Sequence, residues 1–140
     1  MERPDVGTKE DLARYRIETA KEALKDAKLL FDNNSLKSSN NRAYYAAFNA
    51  INAVHALDGE AYKRHKDAIG NFNKKYVKSE QFPREIGHRL AELEEIRHAS
   101  DYDDFYIATK DEAIEQIETA EMLISKIEEY ISNRSGKDSK

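Results

Sequence analysis

The 140-residue sequence has no cysteine, only two prolines and only five glycines. The lack of cysteine excludes disulfides, a thiol nucleophile and any zinc or iron–sulfur site built from thiolates. So few chain breakers, together with a charged fraction of 36%, favour helices over a sandwich or barrel. The length suits a single domain, with little left for a second.

Long hydrophobic runs are also missing. The longest stretch without a charged residue runs from Ala43 to Leu57 and is too short for a membrane span. It contains Asn49, Asn52 and His55, which suit a buried core helix better. No signal peptide is visible at the start of the chain. We therefore expect no membrane association and a cytoplasmic location.

Charge is unevenly distributed along the chain. The net charge of −4 argues against a protein coated in basic residues for nucleic acid. Residues 60–78 nevertheless carry a local net charge of +4, whereas residues 92–104 and 110–129 each carry −5. These blocks are either solvated helix faces or, for the basic block, a surface for a phosphate-bearing partner. The orientation of its cations, Lys63, Arg64, Lys74 and Lys75, discriminates between the two.

Apolar periodicity predicts an all-α fold. Apolar residues recur at spacings of three and four in most segments, and the loops between them are short. Such loops imply an up-and-down antiparallel bundle of four main helices plus one short helix. The predicted helices run from Thr8 to Asp32, Ser39 or Asn40 to Leu57, His65 to Val77, Pro83 to a break within residues 100–106, and Thr109 to 132. Residues 1–7 and 133–140 are predicted to be tails, the second one disordered.

The second predicted helix carries an unusual polar face. Arg42, Tyr45, Asn49 and Asn52 recur at spacings of three and four and so share one side. An exposed face would normally carry lysine and glutamate, whereas this one has a single charge and three neutral hydrogen-bonding groups. It is either a structural network or a binding seam, in which Arg42 meets a phosphate and the amides contact a base or ribose.

Metal chemistry has weak support. Glu85/His88 and Glu95/His98 have the Glu-x-x-His spacing of di-iron bundle proteins. Both pairs lie on the same predicted helix, whereas a di-iron site takes them from two helices. We expect no metal site, and no glycine-rich loop predicts a bound cofactor.

The end of the fourth predicted helix holds a second polar group of residues. Arg97 and Asp101 are four residues apart, so they can pair along the helix. That salt bridge is one interpretation. The other is an arginine that binds phosphate, held by Asp101, with Tyr102 beside it.

Four stretches of the sequence resemble HEPN domains (higher eukaryotes and prokaryotes nucleotide-binding), in particular the small stand-alone prokaryotic members. The most specific is Asn-Arg-Ala-Tyr-Tyr-Ala-Ala-Phe at residues 41–48. The stretches 59–65, 75–78 and 97–102 agree in order and spacing, the last resembling Arg-x-x-Ala-Asp-Tyr with Ser100 in place of alanine. The resemblance covers about residues 10 to 131.

This resemblance implies a helical bundle that dimerises with its second and fourth helices near the dimer cleft. It also implies a partner, a minimal nucleotidyltransferase, with which the protein forms a toxin–antitoxin pair. Active HEPN toxins carry an Arg-x(4–6)-His motif that forms a metal-independent ribonuclease site. No arginine in this sequence is followed by histidine at that spacing.

The expected function is therefore that of a HEPN protein that binds RNA or nucleotide at a dimer cleft without the usual motif. One alternative is a weak ribonuclease using Arg97 with Asp101 or His65, and another is a non-catalytic protein-interaction module. The resemblance also makes Tyr102 a candidate for nucleotide addition by the partner. The ligand-binding candidates are Arg42, Tyr45, Asn49, Asn52, His65 and Tyr102.

Overall fold

The computed structural model describes the backbone of residues 8–138 and the side chains of residues 8–134. Over this range the chain forms five α-helices and no strand, as the sequence predicts. The helices are α1 (Lys9–Asp32), α2 (Leu36–Leu57), α3 (His65–Phe72), α4 (Arg84–Tyr102) and α5 (Lys110–Asp138), and a π-helical turn (Asn73–Val77) continues α3. No helix in residues 8–138 combines the length and apolar character needed to cross a membrane.

Helix α2 lies at the centre of the bundle and contacts α1, α3, α4 and α5. From Ala46 to Leu57 nearly every residue is buried, because the helix is apolar on more than one side. The contact with α1 is the most extensive, and both helices bury many alanines there. Small side chains let two helix backbones approach closely.

Threonine side chains cap the first turns of α1 and α5. The Thr8 hydroxyl accepts a hydrogen bond from the Asp11 backbone N–H at 3.0 Å, and the Thr109 hydroxyl accepts one from Glu112 at 3.1 Å. Each satisfies one of the unpaired N–H groups at the start of a helix. The carboxylate of Glu112 accepts a hydrogen bond from the Tyr106 hydroxyl at 2.5 Å and so ties the preceding loop to α5.

Three boundaries differ from the predicted ones. Helix α2 begins at Leu36, earlier than predicted, because Asn34 adopts a positive φ of 62° and turns the chain within a few residues of α1. The predicted third helix is divided, since the Lys78 N–H bonds the Asn73 carbonyl five residues back and makes a π-helical turn. Helix α5 continues to Asp138, past the predicted start of the tail, while residues 1–7, 139 and 140 lie outside the described range.

Ion pairs connect α1 to α5. Lys21 lies 2.5 Å from Glu128, and Lys28 lies 2.8 Å from Glu121. These lysines neutralise two of the carboxylates in the acidic segment 110–129. The pairs are exposed, so each contributes little to stability, of the order of 0 to 1 kcal/mol. This part of the acidic surface is thus a solvated helix face.

Candidate functional site

Arg97, in the last turns of α4, is held against aromatic rings. Its guanidinium carbon lies 5.3 Å from the centre of the Tyr44 ring and 5.9 Å from that of Tyr102, both within cation–π range. Its Nε lies 3.2 Å from Asp101 Oδ2, so the predicted salt bridge is present. The same Nε is buried and donates no hydrogen bond to a described residue. The terminal nitrogens of Arg97 form no ion pair with a described residue, so the guanidinium keeps hydrogen-bonding capacity beyond Asp101.

Asp101 is fully engaged by protein groups. Its two oxygens accept hydrogen bonds from Asn41 Nδ2 at 2.9 and 3.0 Å, in addition to the Arg97 ion pair. These contacts connect the end of α4 to the first turns of α2. A carboxylate held in this way positions Arg97 and is a poor candidate for a general base.

His65, the first residue of α3, lies in an aromatic cluster from α2. Its ring centre is 4.1 Å from that of Phe48, 5.4 Å from Tyr44 and 6.1 Å from Tyr45. Partial burial and then the positive charge of Arg97 lower the pKa of His65 below 6.5, while Glu94 opposes the shift. The imidazole is consequently neutral at pH 7 and able to accept a proton.

Tyr44 brings Arg97 and His65 together. Both groups lie within about 5.4 Å of the centre of its buried ring, although 32 positions separate them in the chain. Burial, followed by the charge of Glu94, raises the pKa of Tyr44, so its hydroxyl stays protonated. The sequence analysis does not include Tyr44 among the candidate site residues, because spacing along one helix does not reveal contacts between different helices. The Arg97–His65 site denotes Arg97, His65, Tyr44, Phe48 and Asp101 from here on.

The polar face of α2 is divided between two clefts. Arg42, Tyr45 and Asn49 line a cleft of about 280 Å³ against α1, whereas Asn52 lines a smaller one that also contains His65. Asn49 is buried and donates a hydrogen bond to the Tyr45 carbonyl at 2.9 Å within the helix. Arg42 stacks on Tyr45, with its guanidinium carbon 5.1 Å from the ring centre. Asn49 is therefore occupied locally, and Asn52 is the amide with spare capacity.

Tyr102 is exposed, with 65% of its surface accessible. Its ring centre lies 4.9 Å from that of His98, so one predicted Glu-x-x-His histidine packs on this tyrosine. Two more exposed apolar side chains follow, Phe105 at 92% and Ile107 at 81%. Within residues 8–134 no three histidine or carboxylate groups come together as a metal site.

The basic residues of segment 60–78 do not all face the same part of the surface. Lys63 lines the same cleft as His65, next to the site. Lys75 instead forms an ion pair with Glu60 and lies within 3.4 Å of the Tyr62 hydroxyl. The segment as a whole is therefore neither a single binding face nor a purely solvated one.

The fold and this cluster define an all-α bundle domain in which an arginine and a histidine each lie beside the same buried tyrosine ring. A sequence profile of the HEPN domain matches residues 13–130. The chain therefore belongs to the HEPN family, as the residues of α2 indicate.

Two curated relatives match over most of their lengths. The "UPF0332 protein" of Thermotoga maritima is 31% identical over 128 residues, which cover 91% of this chain and 97% of that protein. "Putative toxin MJ0605" of Methanocaldococcus jannaschii is 30% identical over 115 residues, covering 82% of this chain and 85% of that protein.

A solved structure has the same fold. The crystal structure of TT1696 from Thermus thermophilus superposes with a TM-score of 0.72 at 20% identity. The superposition covers 84% of this chain and 96% of that one.

Proposed function

We propose that this HEPN protein binds RNA at the Arg97–His65 site and acts in the cytoplasm as one member of a toxin–antitoxin-like pair. The observation that carries the proposal is Arg97, whose Nε pairs with Asp101 and whose guanidinium lies over two aromatic rings, while its terminal nitrogens form no ion pair with a described residue. An arginine fixed in this way suits a phosphate group, which accepts hydrogen bonds from a planar guanidinium.

Aromatic groups around Arg97 support RNA as the ligand. Tyr102 is exposed beside the guanidinium, and unpaired bases stack on such rings in single-stranded nucleic acid complexes. Arg42 and Lys37 line a neighbouring cleft with Asp101, which adds positive charge along the same side of α2. A strand can therefore contact phosphate-binding and base-stacking groups in one region.

Membership of a two-protein module has separate support. The relative from Methanocaldococcus jannaschii is named as a toxin, and the family resemblance of the sequence implies a nucleotidyltransferase partner. Tyr102, with an accessible side chain next to Arg97, is the acceptor we propose for nucleotide addition by that partner. Modification there would place negative charge beside the guanidinium and compete with RNA.

Cleavage of the bound RNA is a second candidate function, favoured by the contact of both Arg97 and His65 with Tyr44. The RNA 2′-oxygen would attack the adjacent phosphorus while the neutral His65 imidazole accepts the 2′-hydroxyl proton. The bond from phosphorus to the 5′-oxygen then breaks, and water protonates the leaving oxygen. Arg97 would stabilise the charge on the phosphate oxygens.

The RNA-binding proposal is tested with Arg97→Gln and the matched control Arg84→Gln. Arg84 is an exposed arginine at the start of the same helix. We expect Arg97→Gln to lower the affinity for single-stranded RNA about ten-fold or more, since a charge-assisted hydrogen bond contributes about 1.5–3 kcal/mol. Fluorescence anisotropy with a labelled RNA measures this affinity. Equal affinities of the two variants would contradict the proposal.

The cleavage candidate is tested with labelled RNA in the presence of EDTA. We expect products with 2′,3′-cyclic phosphate ends from the wild type and from Arg84→Gln. Arg97→Gln and His65→Asn should each lower the rate at least a hundred-fold, in keeping with the contribution of general base catalysis. If the wild-type protein binds the RNA and leaves it uncut, the cleavage candidate is wrong and the binding function stands.

A further inference from the structure

A second, smaller cleft lies beside the Arg97–His65 site, between α1, the last turns of α2 and the loop before α3. Its volume is about 140 Å³. His65 and Phe48 form part of its wall, so it shares these two rings with the site described above. The other lining residues that matter here are Arg16, Asn52, Glu60 and Lys63.

Two cations, Arg16 and Lys63, line this cleft. Among residues 8–134, neither Arg16 nor Lys63 lies within 4.0 Å of an acidic oxygen. Glu60 also lines the cleft, but its carboxylate is bound by Lys75 and by the Tyr62 hydroxyl at 2.9 Å. The cleft thus retains two positive charges that its own acid does not neutralise.

Asn52 adds an independent sign of a ligand. Its side chain is 8% exposed, and its Oδ1 is buried without a hydrogen-bond partner among the described residues. An unsatisfied buried polar atom costs about 1–3 kcal/mol, and Asn52 is the one described residue lining this cleft that has such an atom. Here the unsatisfied amide forms part of the cleft wall next to the two cations.

We propose that this cleft binds a second phosphate of the same RNA strand, with Arg16 and Lys63 as its cationic contacts. The inference rests on the proposed RNA-binding function and specifies its substrate class. Tyr44, at the Arg97 end, and Asn52 are eight residues apart on α2, about 12 Å along the helix. The paired rings of Phe48 and His65 lie between them and offer a surface for the intervening base. The ligand is therefore a single-stranded oligonucleotide and not a mononucleotide.

The test compares the double variant Arg16→Gln/Lys63→Gln with a control that removes the same charge elsewhere, Lys25→Gln/Lys66→Gln. Both control lysines are exposed, and neither lines this cleft. We expect the first double variant to bind a short single-stranded RNA at least ten-fold more weakly. The slope of log K against log salt is negative, and it should become less steep by about 0.7 for each cation removed. The wild type should prefer this RNA to AMP, and the first double variant should lose that preference.

Asn52→Leu separates a ligand-binding role from a structural one. Removing the unsatisfied amide should leave the protein as stable as the wild type or more stable in urea, while RNA affinity falls. If Asn52 has only a structural role, the substitution lowers the stability of the protein and leaves its RNA affinity unchanged. That result would contradict the inference.

The two proposals fail in different ways. If Arg97→Gln weakens RNA binding but the Arg16/Lys63 variant matches its control, only the second phosphate site is wrong. If the wild-type protein does not bind RNA at all, the proposed function fails and this inference fails with it.

Discussion

At the scale of single residues, Arg97 and His65, which we propose to contact RNA, do not have the spacing of the HEPN ribonuclease motif. The motif requires both residues within one or two turns of a helix, whereas Arg97 belongs to α4 and His65 to α3, and each lies beside the Tyr44 ring. Sequence spacing did predict the Arg97–Asp101 pair, because both belong to one helix. Contacts between helices depend on packing, which spacing along one chain segment does not encode.

The pH dependence of cleavage identifies the base. Burial and the charge of Arg97 lower the pKa of His65 below 6.5, so the imidazole gains a proton only as the pH falls through that lowered value. We expect a rate that is constant around pH 7 and declines on acidification below pH 6.5. An aspartate base with an ordinary pKa of about 3.9 would instead sustain the rate down to about pH 4. A pH–rate profile of RNA cleavage distinguishes the two.

At the scale of the helices, apolar periodicity predicted all five segments. Ile69, Phe72 and Tyr76 have the three- and four-residue spacing of one helix face and are buried, although a π-helical turn interrupts their helix. Boundaries were less predictable where local hydrogen bonds decide them. The early start of α2 depends on the positive φ of Asn34, and Ser39 is buried because its hydroxyl bonds the Ala27 carbonyl at 2.8 Å.

The small residues of α2 should be intolerant of enlargement. Ala47 is 1% exposed in the centre of this helix. We expect Ala47→Leu to lower the free energy of unfolding by about 1–3 kcal/mol, because overpacking a tight core forces side chains and backbone apart. Urea denaturation measures the loss. The exposed Ala91 on α4 provides the control, and Ala91→Leu should change stability by less than about 0.5 kcal/mol.

At the scale of the whole molecule, the loop between α4 and α5 presents a surface suited to a second copy of the chain. Phe105 and Ile107 are almost fully exposed, and the loop is held by hydrogen bonds from Phe105 and Tyr106 N–H to Asp103. Monomeric proteins rarely leave such apolar groups together on the surface. We propose that a second copy of the chain covers this loop, which directly follows α4, one of the two helices that the family resemblance places near the dimer cleft.

A double variant, Phe105→Ser/Ile107→Ser, tests this dimer. We expect the wild type to have the mass of a dimer by light scattering and the variant that of a monomer, since the apolar contact is lost. Tyr15→Ser/Leu29→Ser removes exposed apolar groups from α1 and should leave the dimer intact. A monomeric wild type would show that no such dimer forms, and a dimeric double variant would place the interface elsewhere.

The central claim is that the region around Arg97 binds RNA phosphates. The most direct measurement is the affinity of the wild-type protein for single-stranded RNA across a series of salt concentrations. We predict that log K falls linearly with log salt, with a slope of about −0.7 for each phosphate neutralised. If the protein does not bind RNA, or if salt does not change its affinity for RNA, the claim is wrong. Either result would favour a protein-interaction module instead.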